Sequence, residues 1–237
     1  MSAVSFHVDA VLFDMDGTLV DSTAGVVGAW ELFKQKYPEI NVEDVLSSAH
    51  GVRTVDNLRK YCGIQDPEKL QSEALRFEMA IVTESTTKGR PGIVKLPGVE
   101  DAMQEISSGA RYPKPSWAIC TSATHEYALA ALANAGIDVP DAFVTAEDVK
   151  FGKPAPDPYL LGASKCNVKP ENCVVFEDAP AGIQSGKSAG CKTIGLLTTH
   201  SKTQMEAVKP DFLVPNMASI GLKLSPGGGI DVSVQLD

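Results

Sequence analysis

The sequence lacks the features that define several common classes of protein. Its 237 residues carry 21 Lys and Arg against 30 Asp and Glu, a formal net charge of −9, and so lack the basic surface that nucleic acids and anionic membranes require. The five cysteines include no CxxC pair, which is typical of reduced cytosolic thiols. No apolar run approaches the roughly 18 residues of a membrane span, and residues 1–13 show no secretory signal pattern. We therefore expect a cytoplasmic protein that binds neither nucleic acid nor membrane.

What the sequence does contain is an alternation of short apolar segments with stretches of helix length. Such an alternation is typical of a parallel sheet with right-handed helical crossovers, and it predicts a Rossmann-like α/β core flanked by helices. Residues 230–236 alternate apolar and polar side chains after a Gly-rich turn, which predicts one further edge strand. The strands predicted for the parallel sheet are 8–13, 117–121, 142–145, 173–176, 193–197 and 211–214.

Residues 23–92 interrupt this alternation. Their apolar residues recur at helical spacing with no clear strand among them, and the segment PGIVKLPG (91–98) marks the return with two Pro–Gly pairs. We therefore predict a helical cap domain of residues 23–92, inserted after the first strand into a core of residues 1–22 and 93–237.

The segment FDMDGTLVDS (13–22) places aspartates directly after an apolar strand. Residues i and i+2 of an extended chain point to the same side, so Asp14 and Asp16 both face the region beyond the strand. Because converging carboxylates repel each other unless a positive charge is present, a shared cation is expected. Asp21 and Ser22 are interpreted instead as N-caps of the next helix.

Three further segments carry polar groups to the same edge of the predicted sheet. WAICTS ends in Thr121 and Ser122, CVVFED ends in Glu177 and Asp178, and the loop GKPAPDPY contains Lys153. Ligands of open α/β sheets bind beyond the carboxyl ends of the strands. Carboxylates and substrate phosphate suit Mg²⁺, whereas hydroxyl and ammonium groups suit phosphate oxygens. Together these residues indicate a site for phosphoryl transfer.

The motifs FDMDGTLVDS, CTSAT, GKPAPDPY and VVFEDAPAG, in this order, resemble those of the haloacid dehalogenase-like hydrolases. The resemblance covers nearly the whole chain, including a helical cap after the first motif. Within that family, the sequence looks most similar to the fungal glycerol-3-phosphatases and 2-deoxyglucose-6-phosphate phosphatases. It therefore implies a Mg²⁺-dependent phosphatase that acts on small sugar or polyol phosphates through an aspartyl-phosphate.

The resemblance also implies a role for each matching residue. Asp14 would be the nucleophile, and Asp16 would protonate the leaving group and later activate water. In the stretch HGVRT (50–54), Arg53 and His50 would contact the substrate from the cap. The implied metal site contains Asp14, Asp16 through its main-chain carbonyl, Glu177 and Asp178, and the implied phosphate-binding residues are Thr121, Ser122 and Lys153.

Two alternatives to a phosphatase stay open at this point. One is a hexose phosphate phosphomutase, although the mutases of this family carry a histidine in the first cap helix, and DSTAGVVGAW (21–30) has none. The other is a non-catalytic binding protein that kept the fold, although such proteins usually lose the nucleophile or the metal-binding acids. We expect a small-molecule phosphate ester as substrate and a monomeric protein.

Overall fold

The structure, a computed structural model, describes residues 2–46, 51–109 and 114–236. The strands within these residues are β1 (Ser2–Val8), β2 (Ala10–Phe13), β3 (Val20–Asp21), β4 (Val94–Lys95), β5 (Trp117–Cys120), β6 (Phe143–Val144), β7 (Cys173–Glu177), β8 (Lys192–Leu196), β9 (Phe212–Val214), β10 (Ile220–Leu224) and β11 (Ile230–Leu236). The α-helices within them are α1 (Thr23–Lys36), α2 (Val42–Leu46), α3 (Thr54–Tyr61), α4 (Pro67–Glu84), α5 (Val99–Ile106), α6 (His125–Ala135), α7 (Asp157–Lys165), α8 (Pro180–Ala189) and α9 (Lys202–Ala207).

Six strands form one parallel sheet in the order β6-β5-β2-β7-β8-β9. Every residue of β2, β5 and β7 is buried, as expected for strands covered by helices on both faces. The predicted Rossmann-like α/β fold is confirmed. One predicted strand is divided, because Val8 ends β1, Asp9 donates its N–H to the carbonyl of Asn172 at 2.8 Å, and β2 begins at Ala10.

The strand order has its reversal at β2. The next strand of the sheet in the chain, β5, lies on one side of β2, while β7 lies on the other. Crossovers therefore leave the two sides of β2 in opposite directions, and a crevice opens at its carboxyl end. The residue at that point is Asp14.

Helices α1 to α4 lie between β3 and β4 and form a helical insertion. Its centre is aromatic: the Trp30 and Phe77 rings are 4.4 Å apart, and the Phe33 and Phe77 rings 5.0 Å apart, between centroids. At its base, β3 and β4 pair with each other, Val20 with Lys95. The described part of residues 23–92 is thus mainly helical, and its division from the rest of the chain as a separate domain stays a prediction.

The carboxyl-terminal strand differs from its prediction. β11 is the central strand of a separate antiparallel sheet with the order β1-β11-β10, and not an edge strand. Its neighbours cover residues 2–8 and 220–224, for which no strand was predicted except at Val8. Its inward side chains Ile230, Val232 and Val234 are buried, which requires cover that an isolated edge strand would not have.

Among the described residues, none of the helices combines the length and the apolar composition needed to cross a membrane.

Candidate active site

The polar ends of neighbouring strands lie level at one edge of the six-stranded sheet. Phe13 at the end of β2 pairs with Ile119 of β5 on one side and with Phe176 of β7 on the other. The backbone N–H of Asp14 then donates to the Phe176 carbonyl at 3.0 Å. This register brings Asp14 beside the acidic end of β7.

Three carboxylates and one lysine form a buried cluster at this edge. One oxygen each from Asp14, Glu177 and Asp178 lies within 4.8 Å of the others. The Lys153 Nζ lies 2.5 Å from Asp14 Oδ1 and 2.7 Å from Glu177 Oε1, and the Lys153 side chain is fully buried. One ammonium faces three carboxylates, so the cluster keeps an excess of negative charge when all four groups are ionised.

Burial and this excess negative charge shift the pKa values of the clustered groups. Burial raises the pKa of Asp14 against the opposing effect of Lys153, and burial together with the Glu177 carboxylate raises the pKa of Asp178 to about 7. Burial by itself would lower the pKa of Lys153, but Asp14 and Glu177 outweigh it and raise the pKa above the ordinary value. A divalent cation favours oxygen ligands and would balance this charge, so the donor set fits such a metal.

Glu177 is held rigidly by its surroundings. The Tyr159 hydroxyl donates to Glu177 Oε1 at 2.8 Å and the Ala179 N–H donates to Oε2 at 3.1 Å. At the first turn of α8, a Cβ built on Gly182 would lie 1.7 Å from Glu177 Oε1. Glycine is therefore required where the helix meets this carboxylate, because no side chain fits between them.

Asp178 is fixed in a similar way from two loops. The Thr18 hydroxyl donates to Asp178 Oδ1 at 3.2 Å, and the Thr199 hydroxyl donates to Oδ2. Gly17 has a φ of +85°, and a Cβ there would lie 2.3 Å from Asp178 Oδ2. The turn after Asp16 thus needs glycine both for its backbone conformation and for this close approach.

The Asp16 carboxylate is not one of the three clustered carboxylates. Its Oδ1 accepts hydrogen bonds from the Ser22 hydroxyl at 2.5 Å and from the Tyr127 hydroxyl at 2.7 Å. Within the described ranges no donor engages its Oδ2. Burial raises the pKa of Asp16, although both hydrogen bonds act in the opposite sense. A carboxyl group with one fixed and one uncommitted oxygen, and with a raised pKa, is suited to give and take a proton.

A cavity of about 90 Å³ lies between the sheet edge and the helical insertion. Its wall is polar towards the sheet and mostly apolar towards the helices. The insertion contributes Val26, Trp30, Leu46, Gly51, Val52, Thr54, Asn57, Phe77, Glu78 and Ile81, and the remaining lining residues are Asp14, Asp16, Ser22, Thr121, Ser122, Ala123 and Tyr127.

Not all predicted site residues reach this cavity. Thr121 and Ser122 line it, and the Ser122 hydroxyl donates to the Gly51 carbonyl of the insertion at 3.0 Å. Arg53 is not among its lining residues: its Nε donates to Asp56 at 3.0 Å and its guanidinium reaches the Lys150 carbonyl at 3.4 Å. His50 lies outside the described residues, so its predicted contact is untested.

Ser22, Tyr127 and Glu78 also take part in the site, and sequence reasoning did not predict this. Ser22 precedes α1 but makes no side-chain capping bond there, since its hydroxyl is used by Asp16. Tyr127 and Glu78 belong to α6 and α4, and no motif surrounds them. Their positions in amphipathic helices would fit ordinary packing, so only the tertiary structure identifies their role.

Comparison with known proteins gives consistent matches over nearly the whole chain. Hexitol phosphatase A of Escherichia coli is 37% identical over 94% of this chain and 97% of that protein. Glycerol-1-phosphate phosphohydrolase 2 of Saccharomyces cerevisiae is 36% identical over 92% of this chain and 86% of that protein. Among solved structures, a haloacid dehalogenase hydrolase of Entamoeba histolytica superposes with a TM-score of 0.75 at 21% identity, over 90% of this chain and 95% of the other.

The family profile described as haloacid dehalogenase-like hydrolase matches residues 8–190. This span contains every strand of the parallel sheet up to β7 and the whole acidic cluster. The chain belongs to the haloacid dehalogenase-like hydrolases.

Proposed function

We propose that this protein is a Mg²⁺-dependent phosphatase that hydrolyses small sugar or polyol phosphates. The observation that carries the proposal is the buried cluster of Asp14, Glu177, Asp178 and Lys153, which adjoins a cavity that also contains Asp16. The names of the two relatives, a hexitol phosphatase and a glycerol-1-phosphate phosphohydrolase, support the substrate class.

The metal ligands in this proposal come from the acidic cluster. Asp14 and Asp178, together with the main-chain carbonyl of Asp16, would hold Mg²⁺, with Glu177 close by. When bound, the metal supplies positive charge that neutralises the oxygens of the transferred phosphoryl group. Thr121, Ser122 and Lys153 would bind the same oxygens from the protein side.

The reaction proceeds in two transfers. A carboxylate oxygen of Asp14 forms a bond to phosphorus as the ester P–O bond breaks, and Asp16 gives its proton to the departing alkoxide. Water then attacks the phosphorus of the aspartyl-phosphate. Asp16 takes the proton of this water, the bond to Asp14 breaks, and inorganic phosphate is released. The acid of the first transfer thus becomes the base of the second.

The first experiment measures release of inorganic phosphate from a panel of polyol, sugar and deoxysugar phosphates, with Mg²⁺ and after chelation. We expect kcat/KM to be highest for a polyol or sugar phosphate, and turnover to require the metal. Asp14→Asn should reduce kcat by about 10³-fold or more, because the nucleophile is lost.

Asp21→Asn is the matched control, because Asp21 lies in the same segment but is exposed and accepts a hydrogen bond from the Thr23 N–H. Its kcat should stay close to that of the unmodified protein. Full activity of Asp14→Asn would refute the proposed nucleophile. A hexose phosphate that is converted to an isomer without phosphate release would instead identify a phosphomutase.

A further inference from the structure

Glu78 is a buried carboxylate at the boundary between the helical insertion and the sheet-bearing part of the chain. It is only 1% exposed and lines the same cavity as Asp16. The Thr54 hydroxyl of α3, within the insertion, donates to its Oε1 at 2.5 Å. On the other side of the boundary, both the backbone N–H of Thr124, at 3.1 Å, and the Thr124 hydroxyl donate to its Oε2.

Thr124 is the N-cap of α6, and Tyr127 in the first turn of this helix contacts Asp16. The Thr124 hydroxyl accepts a hydrogen bond from the Tyr127 N–H at 3.5 Å. One turn into the helix, the Tyr127 hydroxyl donates to Asp16 Oδ1 at 2.7 Å. A carboxylate is also favoured at a helix N-terminus by the helix dipole. Glu78 and Asp16 are therefore joined by hydrogen bonds at Thr124 and at Asp16, with the side chain of Tyr127 as the covalent link between them.

We propose that Glu78 is a positioning residue that couples docking of the helical insertion to the orientation of Asp16, through Thr124 and Tyr127. The inference rests on the proposed function, in which Asp16 transfers the proton. When the insertion docks, Glu78 fixes the first turn of α6. Tyr127 and Ser22 then hold Asp16 Oδ1, and Oδ2 is left to serve the leaving group. When the insertion moves away, Thr124 loses its hydrogen bonds to Glu78, and the Tyr127 hydroxyl no longer holds Asp16 Oδ1 in a fixed orientation.

Glu73 offers a matched comparison on the same helix. It is also buried, at 8% exposed, and it also accepts several hydrogen bonds, from Lys36, Tyr37 and Arg76. All of these partners belong to the insertion, and Glu73 does not line the cavity. Glu73→Gln and Tyr37→Phe therefore remove comparable groups without touching the path to Asp16.

The experiment compares two leaving groups in single-turnover measurements of alcohol release by the full chain with Mg²⁺. An alkyl phosphate such as glycerol phosphate needs a proton on its leaving oxygen, whereas p-nitrophenolate departs without one. We expect Glu78→Gln and Tyr127→Phe to slow alcohol release from the alkyl phosphate by about 10- to 100-fold, and from p-nitrophenyl phosphate by less than about threefold. The double variant should be no slower than the slower single variant, because both changes break one path.

Glu78→Asp, which keeps the charge, should recover part of the rate. Equal losses on both substrates, additive losses in the double variant, or the same loss in Glu73→Gln would overturn the coupling, as would an unchanged rate in Glu78→Gln. Tyr127→Phe removes a single oxygen, so it keeps the test decisive if Glu78→Gln does not fold. Failure of the proposed function looks different, since the unmodified protein would then release neither alcohol, or Asp14→Asn would remain active.

Discussion

The two walls of the cavity are built on different principles. On the sheet side, the lining residue Asp14 belongs to the acidic cluster, which is buried so tightly that Gly17 and Gly182 leave no room for a side chain against Asp178 and Glu177. On the side of the helical insertion, the wall is mostly apolar and is formed around the contact between Trp30 and Phe77. The first wall depends on exact placement of charge, and the second on packing.

This difference indicates that the two walls have different tasks: the charged groups on the sheet side carry out the reaction, and the insertion controls access of the substrate. Preorganised charges act on the transition state and lose their effect when they are displaced by about 1 Å. Apolar contacts tolerate small rearrangements, with costs that scale with the area exposed. Loss of a charged group on the sheet side should therefore nearly abolish turnover, while changes in the insertion should alter the control of turnover or the stability of the protein.

Apart from loss of the nucleophile, the largest effect is expected from Lys153→Met. The change leaves Asp14 and Glu177 without their buried counter-charge, and breaking a buried ion pair by removal of one partner costs about 3–5 kcal/mol. We expect kcat to fall by about 10³-fold and the free energy of unfolding, measured in urea, to fall by that amount. Lys150→Met in the same loop, at an exposed position, should change neither quantity much. A Lys153→Met protein with nearly normal turnover would contradict the assigned phosphate site.

A smaller effect is expected from Gly182→Ala. Alanine is intrinsically favoured over glycine in a helix by about 1 kcal/mol, but here its Cβ would collide with the Glu177 carboxylate. We expect a net loss of about 1–3 kcal/mol in the free energy of unfolding. We also expect weaker binding of Mg²⁺, seen as a higher metal concentration at half-maximal activity. Gly227→Ala, where no atom lies within 4 Å of the added Cβ, should be neutral. Equal behaviour of the two variants would show that the close approach at Gly182 is unimportant.

The smallest effect concerns the pH dependence of stability. As the pH rises, the stability contributed by Glu73 should increase, whereas the stability contributed by Glu78 should decrease. Burial would raise the pKa of Glu73, but hydrogen bonds and ion pairs with Arg76 and Lys36 lower it to about 2. A lowered pKa stabilises the fold above the ordinary value of about 4.5, and this contribution is lost as the pH falls towards 2. Burial raises the pKa of Glu78 to about 7, so the stability that it contributes below pH 4.5 is lost as the pH rises through 7.

Urea unfolding of Glu73→Gln and Glu78→Gln at several pH values between 3 and 8 tests this difference. Relative to the unmodified protein, Glu73→Gln should be less stable at pH 7 by about 1 kcal/mol, and the difference should shrink at pH 3. Glu78→Gln should become relatively more stable as the pH rises from 5 to 8. Parallel pH profiles for the two variants would contradict these assignments.

The sequence predicted the sheet side far better than the insertion side. Asp14, Thr121, Glu177 and Asp178 each follow an apolar strand, and the topology of a parallel sheet brings such residues together. The convergence of these residues could therefore be argued from local patterns. Lys153 was added from its motif, and its place between two carboxylates became clear only in the structure.

The parts that escaped prediction all depend on distant contacts. Tyr127 and Glu78 occupy ordinary helical positions, and their partners are remote in the chain. The pairing of Ser2 with Leu236 has no local signal, so β11 was placed at an edge when it is central. Arg53 is a different case: its motif predicts a substrate contact, which stays a prediction, and in this structure its guanidinium bonds to Asp56 and to the Lys150 carbonyl.

The short ribbon of β3 and β4 has a mechanical consequence. The segments that enter and leave the helical insertion pair with each other, Val20 with Lys95 and Asp21 with Val94, so neither is expected to move without the other. Val20 also forms a bridge with Asp16. The two connections to the insertion therefore lie directly beside the residue proposed to protonate the leaving group, so a displacement of the insertion at this ribbon would also displace the backbone next to Asp16.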